Sequence, residues 1–137
     1  MPETSRRPTL WTAFAAGILA LVAAAPVAAQ DFPYGREFRL DVNPMRGSKR
    51  IPGLEIGMNG DATFDLWCNS VQAKLVVAAD TITILTAPPP EIPCPPERAR
   101  GDEDLLATLN DVTNWRMEGQ FLVLTGAKAL RFRLNTN

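Results

Sequence analysis

The chain has 137 residues, 46% of them apolar and 21% charged, the balance of one globular domain that buries a core. Its formal net charge is -1 and its sequence pI is about 5.4, so there is no overall basic field to hold nucleic acid. Histidine is absent, which excludes Ser-His-Asp and Cys-His catalysis and removes the commonest neutral metal ligand.

The first segment reads as a secretory leader. Arg6 and Arg7 precede an uncharged stretch from Leu10 to Ala25, and Pro26, Val27, Ala28 and Ala29 form a small-residue exit. The stretch is about 16 residues long, short of the roughly 20 that a spanning helix needs. Residues 1–29 are therefore expected to be a signal peptide cleaved after Ala29 or Gln30, leaving residues 30–137 as a single domain with no transmembrane helix. A retained anchor is the alternative. No cysteine stands at the exit, which argues against a lipid-modified N-terminus. The SRRPTL string is similar to a twin-arginine export signal, although Thr9 stands where an aromatic is expected. Losing Glu3, Arg6 and Arg7 brings the net charge to about -2.

The two cysteines, Cys68 and Cys94, would then lie in an oxidising compartment, where one disulfide is the economical reading. Closing a loop of about 26 residues is worth roughly 3.5 kcal/mol on the chain-entropy model. Two buried free thiols, or a redox-active thiol, are the alternatives.

Beyond the leader, most of the chain alternates at period two. Phe38, Leu40 and Val42 oppose Arg39 and Asp41, and a loop from Asn43 to Arg50 carries Pro44, Gly47 and Ser48. Leu54, Ile56 and Met58 share one face of the next strand. Asn59-Gly60 signals a hairpin in which both central residues take positive φ. The returning strand spans about Thr63 to Cys68, with Phe64, Leu66 and Cys68 on one side and Asp65 and Trp67 on the other. Lys74 to Ala79 and Thr81 to Leu85 make a pair around Asp80, so apolar that both faces are expected to be covered.

The segment TAPPPEIPCPPE has six prolines and cannot enter a sheet interior. It is expected to be a rigid strap leading to a helix, with a proline-rich docking peptide as the functional alternative. Asp102, Glu103 and Asp104 are expected in the solvated first turn of that helix, and Leu105, Leu106, Leu109 and Val112 form its buried stripe. A cation site at the acidic triplet is the less economical reading. Trp115 and Met117 lead through Glu118-Gly119 into Phe121 to Thr125, and after Gly126 a last strand places Leu130, Phe132 and Leu134 opposite Arg131 and Arg133. The predicted fold class is α+β: a mostly antiparallel curled sheet or small barrel of about eight strands, with one helix between strands five and six.

The string WCN at Trp67 to Asn69, the proline-flanked IPCP, the segment EDLLATLNDVTNWRMEG and the strands FLVLTG and ALRFRL together resemble the META domain, or HslJ-like, family. The resemblance spans about Phe38 to Leu134. Departures are Trp67 where the family usually has glycine, no aromatic-glycine pair after Asn69, and APPPEIP before the second cysteine. The resemblance implies an exported or envelope-associated β domain, with some relatives linked to heat shock, drug tolerance or secretion. It implies no catalytic residues and no cofactor. Cys68, Asn69 and Cys94 carry over as motif positions, with Asn69 expected to satisfy backbone groups at a strand end.

The expected function is a non-enzymatic, monomeric periplasmic or secreted protein, associated with the envelope or with stress, that contacts an envelope protein or a lipid. Arg36, Arg39, Arg46, Lys49 and Arg50 are candidates to meet anionic headgroups, though basic strand edges also discourage aggregation. Trp67 is the candidate exposed contact, with packing under the helix as its alternative. A lipocalin-like carrier would need an apolar cavity, against which the large Phe64, Phe121 and Phe132 argue. A hydrolase would draw on Glu55, Asp61 or Asp65, whose strand and turn positions predict solvation instead. No metal or cofactor is expected.

Overall fold

The structure is a computed structural model that describes residues 23–26 and 28–136. Residues 1–22, which hold most of the expected leader, lie outside the described residues, as does Val27 at its exit. Among the described residues, no helix is long and apolar enough to cross a membrane.

Eight strands close into an antiparallel barrel in chain order: β1 (Glu37–Leu40), β2 (Gly53–Ile56), β3 (Asp61–Asp65), β4 (Ser70–Ala78), β5 (Thr81–Thr86), β6 (Asn114–Glu118), β7 (Phe121–Thr125) and β8 (Ala129–Leu134). The last strand returns to the first through Phe38 opposite Leu134 and Leu40 opposite Phe132. One helix, α1 (Pro96–Asn110), stands between β5 and β6. This is the architecture that the alternation predicts.

Period two explains the interior. Each short strand sends every second residue inward, and Phe38, Leu54, Ile56, Phe64, Leu122, Leu124 and Phe132 are fully buried along the axis. Leu105 and Leu109 of α1, with Val112 just beyond it, join the same cluster. The neighbouring stripe residue Leu106 is only partly buried.

Five expectations about the barrel are corrected. β4 and β5 do not have both faces covered: Val76 is 52% and Leu85 57% exposed, because they point away from the barrel while Val71, Leu75, Ile82 and Ile84 fill the core. Phe121 is not an interior residue. It lies on the outer wall opposite Arg133, with the Arg131 guanidinium 3.7 Å from its ring centroid, since Leu122 and Leu124 take the inward positions. The strand expected to reach Cys68 ends at Asp65, and the chain turns over Leu66–Asn69, closed by Leu66 N–H donating to Asn69 O.

At Asn59-Gly60 only Gly60 has positive φ, at +86°. Gly57 N–H donates to Asp61 O and Gly60 N–H to Gly57 O, so the loop is three residues long and needs one left-handed position, not two. Met58 consequently rides at the loop tip, 79% exposed, instead of ending the strand.

Candidate functional site: a disulfide-centred clasp

The motif residues converge where the turn Leu66–Asn69 meets the proline strap and α1. Proline dictates the local path. The strap from Ala87 to Pro95 has neither helix nor strand, and Pro96 starts α1 with its ring at the first helical position, where no N–H is needed. Ala99 N–H donates to Pro95 O to close the first turn. Cys94, two residues before the helix, thereby faces Cys68, and the two form a disulfide with their Cα atoms 6.2 Å apart.

The acidic triplet does not start the helix. Because α1 begins at Pro96, Asp102 falls in its middle, on the same face as Leu105 and Leu109, and is only 5% exposed. Its carboxylate accepts the Cys68 backbone N–H at 3.0 Å on one oxygen and the Asn69 backbone N–H at 2.9 Å on the other. Two charge-assisted bonds compensate the burial of this charge, which an unpartnered carboxylate could not sustain. The backbone of the turn therefore hangs on a side chain of α1.

Asn69 differs from expectation in the same place. Its side-chain amide donates to Cys94 Sγ at 3.1 Å and to Asp102 Oδ2 at 3.4 Å, so it fastens the disulfide to the helix and does not cap a strand end. The reason is proximity: Asp102 already takes the backbone donors that the Asn69 amide would otherwise have to complement.

Arg50 closes the clasp from the other side. Its Nε donates to Leu66 O at 2.7 Å and its terminal nitrogen to Asn69 O at 3.1 Å. Trp67 is half-buried and packed against the core. A side chain at Gly101 would lie 2.7 Å from Trp67 Cδ1 and would also collide with Met45, so the glycine is what lets the indole and the Asn43–Arg50 loop lie on α1. Of the candidate contact residues, Trp67 and Arg50 thus serve internal packing and bonding. Arg46 and Lys49 are exposed on the loop, and Arg39 is exposed on the outer wall beside Arg133.

Chemically, the clasp is closed. Cys68, Cys94 and Asp102 bring their ligand-type atoms within 4.8 Å of one another, but sulfurs bonded to each other offer no thiolate to a metal or an electrophile. A groove of about 160 Å³ borders it, lined by Asn69, Pro90, Ile92, Cys94, Asp102 and Leu106. The three strand and turn carboxylates lie on the outer surface. Asp61 is held by Lys74 Nζ at 2.8 Å and by the Asn59 amide at 2.7 Å, and these two bonds, with the Lys74 charge, keep its carboxyl below the usual aspartate range. Asp65 accepts from Ser70 Oγ and lies 3.9 Å from Arg50, while Glu55 points outward opposite Glu37 and Thr63.

A family model described as META domain matches residues 35–136. The chain belongs to the META domain family. Among solved structures, the META domain is similar to an NMR structure of a protein from Burkholderia xenovorans, with a TM-score of 0.63 at 13% identity, covering 85% of this chain and 100% of that one. That likeness extends to the fold. No curated protein matches the chain. Sequence reasoning reached the cysteines and Asn69, read Arg50 as a surface contact and Asp102 as part of a solvated helix start, and missed Gly101.

Proposed function

We propose that this META domain is an exported, non-enzymatic protein of the cell envelope that acts as a monomer through contacts with an envelope protein or lipid. The observation that carries the reading is the Cys68–Cys94 disulfide, a bond that persists outside the reducing cytosol and staples a small domain. The leader-like N-terminus supports the same compartment. For contact, the barrel offers a wall on which Arg39 lies beside Arg133, with Phe121 under Arg131. Asp41 and Glu118 pair with Arg131 and Arg133, which leaves Arg39 as the cation of that wall without an ion pair among the described residues. The carrier alternative is not favoured, because Phe38, Phe64 and Phe132 occupy the space a ligand would need.

Native mass spectrometry of the protein purified from a periplasmic extract tests this. The expected species is a monomer lacking the leader, with both cysteines oxidised. A species that keeps the leader, or that carries two free thiols, overturns the export reading. A stoichiometric small apolar ligand would replace the contact role by that of a carrier.

A further inference from the structure

The barrel has one weak seam. Every other neighbouring pair of strands is joined by at least three register partners, whereas β5 and β6 share only Thr81 opposite Asn114. The cause is geometric. The chains are antiparallel, so β6 runs past the start of β5 and alongside the Ala79–Asp80 turn, where no strand remains to pair with it. Ile82 N–H reaches Thr113 O and Trp115 N–H reaches Asp80 O, but Met117, two residues on and facing the same side, lies beyond that hairpin.

Met117 is not left open. The Gln30 side chain sits against it as a peptide group would: Met117 N–H donates to Gln30 Oε1 at 2.9 Å, and Gln30 Nε2 donates to Met117 O at 3.1 Å. Two residues further, the buried Phe32 stacks edge-on against Trp115 with ring centroids 5.0 Å apart, and Tyr34 packs edge-on against Phe32 at 4.9 Å. Gln30, Phe32 and Tyr34 all precede the family match, which starts at residue 35. They strap an edge that the matched domain by itself leaves unpaired, and unpaired edges invite strand addition by other chains.

We infer that Gln30 is the latch of this strap and that the mature chain begins at Gln30, with the leader cut after Ala29. The second half rests on the export reading above. Of the two cleavage positions that the sequence allows, a cut after Gln30 would discard the side chain that covers Met117. A glutamine at a free N-terminus can also cyclise, its α-amino nitrogen attacking Cδ to form the ring C–N bond and expelling Nε2 as ammonia. That reaction would remove the donor to Met117 O, so a working latch keeps the amide intact.

Two measurements on the oxidised, exported protein decide the matter. Intact mass is expected to give a chain starting at Gln30 without loss of ammonia. A start at Asp31, or the loss of one ammonia, overturns the inference, whereas a retained leader overturns the export reading and leaves the latch to the second measurement. That measurement is residue-resolved amide exchange. Gln30→Ala is expected to speed exchange at Met117 about tenfold while leaving Trp115, bonded to Asp80 O, unchanged. Gln30→Glu is expected to keep the Met117 N–H protected, because a carboxylate still accepts that bond although it no longer donates to Met117 O. Equal Met117 protection, corrected for intrinsic rates, in the wild type and Gln30→Ala overturns the latch.

Discussion

Removing the Asp102 carboxylate takes the acceptor from two backbone donors of the half-buried turn, the N–H groups of Cys68 and Asn69. Asp102→Ala is therefore expected to destabilise the domain by about 3 kcal/mol in chemical denaturation, and Asp102→Asn by less, because one carbonyl oxygen remains to accept. A loss below about 0.5 kcal/mol for the alanine variant would show that the turn does not depend on α1. The aspartate was visible in the sequence all along: three residues before Leu105 and seven before Leu109, it shares the helix's apolar face, and a charge on such a face signals a buried partner. Reading it as part of an acidic first turn hid that signal. Asp61 poses the opposite case, an exposed carboxylate whose Lys74 and Asn59 partners hold its pKa down. A depressed folded value means that its contribution is present above the unfolded aspartate range, about pH 4, and fades as pH falls through the folded value. The stability gap between the wild type and Asp61→Asn is thus expected at pH 7 and should close in acid. A gap that widens on acidification would reverse the sign.

At the scale of elements, α1 is placed by prolines before it and by a glycine within it. Gly101→Ala ought to favour the isolated helix by about 1 kcal/mol. The added methyl would instead meet the Trp67 ring, and overpacking of that kind costs about 1–3 kcal/mol. The expected outcome is a net loss of about 1 kcal/mol accompanied by a shift in tryptophan fluorescence, whereas a stabilised protein with unchanged fluorescence would mean that the indole has room to spare. Strand order, the antiparallel pairing and the helix position were all legible, because alternation and short connections leave few other arrangements. Less legible was which face of a nearly apolar strand is covered. Val76 and Leu85 are as apolar as their inward neighbours, and only the closed barrel decides that they face solvent. The Asn59-Gly60 turn shows a similar gap: the dipeptide announces a hairpin, but loop length depends on the register of β2 against β3, with Ile56 opposite Ala62.

For the molecule as a whole, the clasp adds to the core packing of Leu105 and Leu109 in holding α1 to the barrel. Cys68 lies between β3 and β4, Cys94 at the foot of α1, and Asp102 within it, so the covalent bond and the buried carboxylate fix the helix to the barrel from one point. The cysteine pairing was legible from composition and the expected compartment, since two cysteines in a small domain read as exported have few other uses. The residues that make the pairing part of a network were not, because Arg50, Asn69 and Asp102 are brought together only by folding. A network of this kind predicts that the bond contributes stability and not chemistry. Its direct test is the melting temperature of the protein before and after reduction under native conditions. A cross-link over 26 residues of chain, worth roughly 3.5 kcal/mol, should lower the midpoint by about 10–20 °C on reduction while the β-sheet spectrum below the transition is kept. An unchanged midpoint with the bond verifiably reduced would contradict the clasp.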